Sequence, residues 1–181
     1  LAGKRFSLVL KRLADIIMAL ILLIILLIPM AIIAVLIKLG SAGPVFYRQE
    51  RITSYGKKFR IHKFRTMVDH ADQLGTAVTV DGDSRITKIG SKLRSCRLDE
   101  LPQLFDVLDG NMSFVGTRPE ATEYVGKYIP EYYATLLLPA GFTSEASIRF
   151  KDEAEMLKDV SDPDKVYIEK ILPLKMKYNL D

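Results

Sequence analysis

The sequence has no tryptophan, one cysteine (Cys96) and two histidines, His62 and His70. A single cysteine excludes an intrachain disulfide, and so few cysteines and histidines argue against a zinc site. A reducing compartment such as the cytoplasm fits this composition. No Cys or Ser nucleophile lies close to either histidine in the sequence, so we interpret both as structural or solvent-exposed side chains.

Signals for nucleic-acid binding are also missing. The 181 residues carry a formal net charge of +4 at pH 7, which suits an anionic partner of some kind. However, the sequence has neither an RNA-recognition motif nor zinc-finger spacing, and its basic residues concentrate near one pair of carboxylates. We therefore expect no nucleic-acid partner, and we favour an anionic membrane or a phosphorylated substrate.

Charge is absent from one long stretch of the chain. Residues 16–37 are 22 consecutive residues without a charge or a side-chain hydrogen-bonding group. As a straight helix they would extend about 33 Å, enough to cross a hydrocarbon core of about 30 Å. The stretch is longer than the apolar part of a signal peptide, and no small-residue cleavage site follows it. Because no side of it is polar, it is also a poor candidate for the core helix of a soluble protein.

Two features of this stretch favour a re-entrant membrane helix over a complete span. Pro29 lies just past the middle and is expected to kink the helix. Basic residues flank both ends, so the positive-inside rule selects neither orientation. A helix that enters the membrane, bends at Pro29 and returns to the same cytoplasmic face keeps both flanks in water; a true span is the alternative. We divide the chain into a re-entrant helix with its flanks at 1–39 and a cytoplasmic domain at 40–181.

The remaining pattern predicts an α+β fold that is mostly helical, with a small β-hairpin at the functional site. Short strands are expected at 45–49 and 58–64 around a turn at Tyr55 and Gly56. Helical segments are expected at 69–75, within 85–97, and at 101–109, 120–138 and 163–181. Pro130 either bends its segment or starts a new helix, and Pro173 interrupts the last one. Residues 76–84 are predicted as a polar loop, and the tyrosines of 120–138 suit either an amphipathic helix at the membrane interface or the core.

Asp99 and Glu100 stand at the apparent start of a helix. The apolar residues that follow have the spacing of one buried helical face: Leu101, Leu104, Phe105 and Leu108. The simplest interpretation is that Asp99 is the N-cap and that Glu100 complements the helix dipole. The lysines and arginines on either side favour a second one. A carboxylate among fixed cations stays ionised at pH 7, and it can attack phosphorus or bind a hard cation.

Five motifs in this order and spacing resemble those of the bacterial sugar transferases, the monotopic phosphoglycosyl transferases that open membrane glycoconjugate assembly. The motifs are GPVFYRQ (43–49), KFRTM (63–67), DSRITKIG (83–90), LDELPQ (98–103) and GNMSFVG (110–116) with RP (118–119). The similarity extends from KRLAD (11–15) through the tail. The sequence departs from the family pattern at Thr117 and at 139–148, so the resemblance leaves the donor sugar open.

The resemblance implies a UDP-sugar donor, an undecaprenyl phosphate acceptor and Mg²⁺ as cofactor, at the cytoplasmic face of the bacterial inner membrane. Asp99 corresponds to the nucleophile that forms a covalent phosphosugar intermediate. Glu100 corresponds to the acid that holds Mg²⁺ and completes the catalytic pair. A re-entrant helix in contact with membrane lipids is also a property of this family. The resemblance does not specify the oligomeric state.

Three basic residues match the family's basic positions and are our candidates for substrate binding: Lys63, Arg94 and Arg118. For Arg65, Arg85 and Arg97, a surface or ion-pairing role is an equal alternative. A different class of function also stays open. A non-catalytic membrane adaptor would use its basic face to bind anionic lipid or a partner protein.

Overall fold

A computed structural model of the chain describes residues 4–74, 79, 82–157, 160 and 162–180. It confirms the predicted α+β class. In chain order the elements are α1 (Arg5–Gly40), β1 (Phe46–Ile52), β2 (Lys58–Phe64), α2 (Lys88–Ser95), α3 (Gln103–Leu108), β3 (Met112–Val115), α4 (Thr122–Val125), β4 (Ala140–Thr143), α5 (Glu145–Arg149), α6 (Glu153–Met156), α7 (Pro163–Val166) and α8 (Leu172–Leu180). Stretches of 3₁₀ helix lie at Ser54–Gly56, Ala71–Gln73, Leu98–Glu100 and Pro130–Leu137, and a π-helical turn, Tyr167–Ile171, joins α7 to α8.

The apolar run forms α1, a continuous helix of 36 residues that passes through Pro29 without a break. Within the described part of the chain, it is the one helix long and apolar enough to cross a membrane. One stripe of α1 packs on the rest of the protein: Asp15, Ala19, Met30, Ile33 and Ile37 are buried, and Leu22, Leu23 and Leu26 are partly buried. The opposite face is apolar and exposed, as at Ile24 (76%) and Ile28 (71%). Helix α1 therefore lies along the globular part for most of its length.

Strands β1 and β2 form the predicted antiparallel hairpin. Their register pairs Phe46 with Phe64 and Tyr47 with Lys63. Because directly opposite residues of an antiparallel pair point to the same side, Tyr47 and Lys63 share a face. A second, parallel pair is formed by β3 and β4. These two small sheets carry the segments that approach the functional site.

Three hydrophobic clusters hold the elements together. The first surrounds the C-terminal helix and includes Tyr124 and Tyr128, so these two tyrosines belong to the core. The second joins α1 to β2, α3 and β3, and the third joins the end of α1 to β2 and α2. Helix α1 thus contributes to two of these clusters. The division of the chain at residues 39 and 40 stays a prediction.

The predicted N-cap role of Asp99 is wrong. Helix α3 begins at Gln103, and Asp99 lies in the 3₁₀ turn before it. The turn is held by 3₁₀-type bonds, from the Glu100 N–H to the Arg97 oxygen and from the Leu101 N–H to the Leu98 oxygen, and Pro102 has no N–H group to continue this series. The buried face is also displaced: Phe105, predicted to be buried, is 41% exposed, whereas Val107 is fully buried.

Proline residues shape two other predicted segments. Residues 120–138 contain α4 and, from Pro130, a separate 3₁₀ stretch, so this proline starts a new element. In the tail, the irregularity expected at Pro173 is the π-helical turn just before it. That wider turn relieves the clash between the proline ring and the preceding carbonyl groups. Among the described residues 69–74 of the next predicted helix, Ala71–Gln73 forms a helical turn, whereas residue 75 and most of the predicted loop 76–84 lie outside the described residues.

Replacing Gly141 with alanine should destabilise the fold. A Cβ atom at this position would overlap the backbone of Gly116, which crosses close to it beside the β3–β4 pair and cannot rotate away as a side chain could. We expect Gly141→Ala to lower the free energy of unfolding by about 2–3 kcal/mol, measured by denaturant unfolding in detergent. Gly126→Ala is the matched control: its Cβ would make only ordinary contacts, so a loss within about 0.5 kcal/mol is expected. Equal stability of the two variants would contradict this close approach.

Candidate active site

Asp99 and Glu100 lie in a tight turn between two helices. The chain leaves α2 through Arg97, whose φ of 57° is in the left-handed region, and the 3₁₀ turn follows at once. Both carboxylates line one cleft of about 1810 Å³. They are also mostly buried, since Asp99 is 9% exposed and Glu100 is 4% exposed. Two adjacent acids at such a site need cations nearby to stay ionised.

Two cations hold the Glu100 carboxylate. Arg118 donates through both terminal nitrogens, with Nη1 3.1 Å from Oε2 and Nη2 bonded to Oε1. Lys63 Nζ donates to Oε1 at 3.3 Å. Burial alone would raise the pKa of Glu100, but the charges of Lys63 and Arg118 outweigh burial and hold the pKa far below its usual range. Glu100 is therefore ionised at every physiological pH.

The surroundings of the Asp99 carboxylate differ from those of Glu100. Among the described side chains, none forms an ion pair or a hydrogen bond with it. Burial is the main reason that the pKa of Asp99 lies above its usual value; Lys63 opposes this shift, Glu100 adds to it, and Arg94 opposes it. Its oxygens are not engaged by the described side chains, so they are more available for reaction than those of Glu100.

Lys63 and Arg118 respond differently to the same carboxylate. Burial lowers the pKa of Lys63 to about 8, although Glu100 attracts its charge. Burial would also lower the pKa of Arg118, but the bidentate pair with Glu100 raises it above its usual value. Near neutral pH both groups are cationic, and only Lys63 loses its charge a little above it.

The five predicted site residues all line the same cleft: Lys63, Arg94, Asp99, Glu100 and Arg118. Lys63 and Arg118 meet at Glu100, as described above. Arg94 lies on α2, and its positive charge partly offsets the rise in the pKa of Asp99 that burial causes. The structure therefore brings the candidates together from four separate segments of the chain.

The three arginines with an open role have other partners. Arg65 donates to backbone oxygens just beyond α1, so its contacts are structural. Arg85 pairs with Asp83, with Nη2 2.6 Å from Oδ2, and Arg97 donates to the backbone oxygen of Lys151 at 3.4 Å. Arg65 and Arg85 thus have structural and ion-pairing contacts, whereas the charge of Arg97 also helps to lower the pKa of Glu100.

Arg51 is a fourth cation of the site, and it is not among the predicted site residues. Arg51 lies on β1, four residues after Tyr47. Because alternate residues of a strand point to the same side, it shares the face of Tyr47 and Lys63. Its Nη1 donates to the backbone oxygen of Pro119 at 3.3 Å, and its buried Nε has no hydrogen-bond partner among the described residues. The strand alternation that connects Arg51 to Lys63 was the signal that could have identified it.

Cations surround the two acids. The charges of Lys63, Arg94 and Arg118 oppose the protonation of one or both of them, and Arg51 lines the same cleft. The nearby Glu120 is paired with Lys175 at 3.4 Å. The site is therefore suited to binding a diphosphate, whose negative charges these cations can stabilise.

The carboxylates of Asp99 and Glu100 are hard oxygen ligands of the kind that Mg²⁺ prefers. Within the described residues there is no group of three His, Cys, Asp or Glu side chains that could hold a metal by itself. Mg²⁺ is commonly bound by one or two carboxylates while substrate phosphates complete its coordination. The residues present therefore fit Mg²⁺ together with a phosphorylated substrate.

Known proteins resemble the chain over most of its length. Residues 6–177 match the bacterial sugar transferase family. The UDP-N-acetylgalactosamine-undecaprenyl-phosphate N-acetylgalactosaminephosphotransferase of Aeromonas hydrophila is 42% identical over 118 residues, which are 64% of this chain and 28% of that protein. The UDP-glucose:undecaprenyl-phosphate glucose-1-phosphate transferase of Xanthomonas campestris pv. campestris is 42% identical over 159 residues, 84% of this chain and 33% of that protein.

A shorter relative has nearly the same extent as this chain. The exopolysaccharide production protein PSS of Rhizobium leguminosarum bv. phaseoli is 42% identical over 150 residues, which are 79% of this chain and 75% of that protein. The chain thus spans a third or less of the two longer relatives and most of the shorter one. Because the family match covers nearly all of its residues and includes every candidate site residue, the chain belongs to the bacterial sugar transferase family.

Proposed function

We propose that this protein transfers a sugar-1-phosphate from a UDP-sugar to undecaprenyl phosphate and releases UMP. The observation that carries the proposal is the inequality of two adjacent buried acids: Glu100 is bound by two cations, whereas Asp99 is without such a partner among the described residues. The names of the Aeromonas and Xanthomonas relatives support the donor and acceptor classes. The product is an undecaprenyl diphosphate sugar, the first membrane-bound intermediate of glycoconjugate assembly.

In the proposed first step, an Asp99 oxygen attacks the donor phosphorus that bears the sugar. The new bond joins Asp99 to that phosphorus, and the bond from phosphorus to the bridging oxygen breaks. UMP leaves with the bridging oxygen and its electron pair, so no proton has to be moved. Lys63, Arg94 and Arg118 reduce the repulsion between the carboxylate and the diphosphate. Their positions in the cleft, around Asp99 and Glu100, support this role.

In the proposed second step, an oxygen of the acceptor phosphate attacks the same phosphorus. The bond between Asp99 and phosphorus breaks, and Asp99 regains its carboxylate charge. The same cations serve both steps, since each begins with an anion approaching a phosphate. A covalent route of this kind divides one difficult transfer into two easier ones.

Glu100, together with the donor phosphates, would hold Mg²⁺. When bound, the metal would neutralise charge on the diphosphate as the nucleotide departs. In this proposal Glu100 also keeps Arg118 and Lys63 at the site, because its carboxylate accepts hydrogen bonds from both.

The contacts at both ends of α1 support a re-entrant arrangement over a complete span. Before the apolar run, Arg12 donates to the backbone oxygens of Val107 and Leu108 at 2.6 and 2.8 Å. Beyond it, Arg65 donates to the backbone oxygen of Ser41 at 2.9 Å. Both ends thus contact the same globular part, and basic residues at both ends favour the cytoplasmic face of the inner membrane.

If the protein were a non-catalytic membrane adaptor, its basic side chains should lie on an outer face, where they could bind anionic lipid or a partner protein. Lys63 and Arg118 instead point into the cleft, where their side chains are 19% and 26% exposed and pair with Glu100. Cations arranged around two acids in a cleft favour binding of a small phosphorylated molecule. We therefore place the enzymatic function first.

A covalent adduct on Asp99 is the first expected result. Purified protein incubated with a panel of UDP-sugars and Mg²⁺, without acceptor, should gain the mass of one phosphosugar, and peptide mapping should locate it on Asp99. Asp99→Asn should gain no mass, because an amide is a poor nucleophile, whereas Asp109→Asn, an exposed acid at the end of α3, should behave as the unmodified protein. UMP release by Asp99→Asn at the unmodified rate would contradict the mechanism.

The rate of UMP release should fall above about pH 8. Burial lowers the pKa of Lys63 to about 8, so the cationic form that the site needs is present below that pH and is lost above it. We expect the rate to decrease about tenfold for each further pH unit. Lys63→Arg should move this limb to higher pH, since arginine keeps its charge, whereas Lys57→Arg, at an exposed position, should not. An alkaline limb unchanged in Lys63→Arg would show that another group titrates.

Cysteine labelling should separate a re-entrant helix from a span. In a Cys96→Ala background, single cysteines at the exposed positions Lys4 and Tyr55 report on the two flanks of α1. In sealed vesicles of known orientation, a membrane-impermeant maleimide should label Lys4→Cys and Tyr55→Cys from the same side. Labelling from opposite sides would establish a complete span, and permeabilised vesicles provide the control for reactivity.

A further inference from the structure

Lys175 is a buried charge that the proposed mechanism does not use. It lies on α8 and is 6% exposed. Its Nζ donates to Glu153 Oε2 at 3.0 Å, to the Tyr167 hydroxyl oxygen at 2.9 Å and to Glu120 Oε1 at 3.4 Å. All three ammonium protons thus have acceptors. A cation buried so completely is retained only where its partners compensate the loss of water.

Tyr167 adds a second bond to the same glutamate. Its hydroxyl group donates to Glu120 Oε1 at 2.7 Å while accepting from Lys175. Burial raises the pKa of Tyr167, so the phenol keeps the proton that it donates. Burial would raise the pKa of Glu120, but Lys175, Tyr167 and Arg51 lower it below its usual value. Glu120 is therefore an ionised acceptor held by one residue of the π-helical turn and one residue of α8.

The π-helical turn gives Tyr167 and Lys175 a common direction. In an unbroken α-helix, the side-chain directions of residues eight apart differ by about 80°, because eight residues make two full turns and about 80° more. The turn Tyr167–Ile171 holds more residues than an α-helical turn, which removes most of that difference. Both side chains can therefore reach Glu120 from one helix.

Glu120 belongs to the short segment that carries Arg118. On one side, β1 holds this segment: Arg51 Nη1 donates to the backbone oxygen of Pro119 at 3.3 Å, and the Ile52 N–H donates to that of Glu120 at 3.1 Å. On the other side, Tyr167 and Lys175 hold the Glu120 side chain. Contacts from two sides thus hold the segment that carries Arg118.

We propose that Tyr167 and Lys175 are positioning residues of the transferase, which hold Glu120 so that Arg118 is directed at Glu100 and the donor diphosphate. This inference rests on the proposed function, because it gives the C-terminal helix a part in binding the donor. Neither residue is assigned a contact with the reacting atoms. Their effect on the reaction passes through Arg118.

A double-mutant cycle tests this connection. Tyr167→Phe removes one hydroxyl group and preserves packing, so it is the principal variant; Lys175→Met removes the charge, and Lys175→Arg should restore part of the effect. We expect Tyr167→Phe to lower kcat/KM for the UDP-sugar in UMP release about five- to tenfold, chiefly through KM. In an Arg118→Ala background the same change should have no further effect. Lys177→Met, an exposed lysine on the same helix, should leave both constants unchanged.

The outcomes separate this inference from the proposed function. The affinity for UDP, measured by titration for the same four proteins of the cycle, provides a readout that does not require turnover. Equal fold-losses with and without Arg118, or no loss in Tyr167→Phe, would overturn the positioning role while leaving the transferase proposal intact. UDP binding with the expected coupling but without turnover would support the positioning role and contradict the transferase proposal. An unmodified protein that neither binds UDP nor releases UMP would overturn both.

Discussion

The ion pair of Glu100 with Arg118 and Lys63 is the interaction on which the candidate site depends. It joins three segments that are distant in sequence: the turn before α3, strand β2 and the segment before α4. Each of these buried charges would be costly without the others. The pair also explains how two adjacent acids acquire different chemistry. Glu100, whose charge is balanced by the two cations, holds them in place. Asp99 beside it keeps its oxygens available for reaction.

Local patterns predicted the parts of the fold that depend on local physics. The long apolar run became α1, and alternation and turn residues predicted the β1–β2 hairpin. Asp99 was misassigned as an N-cap because capping rules compete with other local rules. A left-handed residue at Arg97 and a proline at 102 shift the helix start by several residues, and such competition is decided by the packing of the whole turn.

The residues of the candidate site were inferred from a resemblance to family motifs, and the residues that this inference missed have a physical explanation. Lys63 and Arg118 lie in recognisable motifs, Arg94 lies between two of them, and all three line the cleft with the two acids. Lys175 stands in a tail that resembles an ordinary amphipathic helix, where a lysine is usually exposed. Its burial depends on a π-helical turn and on Glu120, which is 55 residues away. No pattern within one segment carries that information.

Helix α1 has one packed stripe and one exposed face, and the two should tolerate different substitutions. Ala19 is fully buried against the cluster of β2, α3 and β3, so a larger side chain there would lift the helix from the domain. Ile24, at 76% exposure, meets no such limit and has only to stay apolar. Hydropathy cannot distinguish these positions, because both are apolar. We therefore expect side-chain volume to limit substitutions on the packed stripe of α1, and polarity alone to limit those on its outer face.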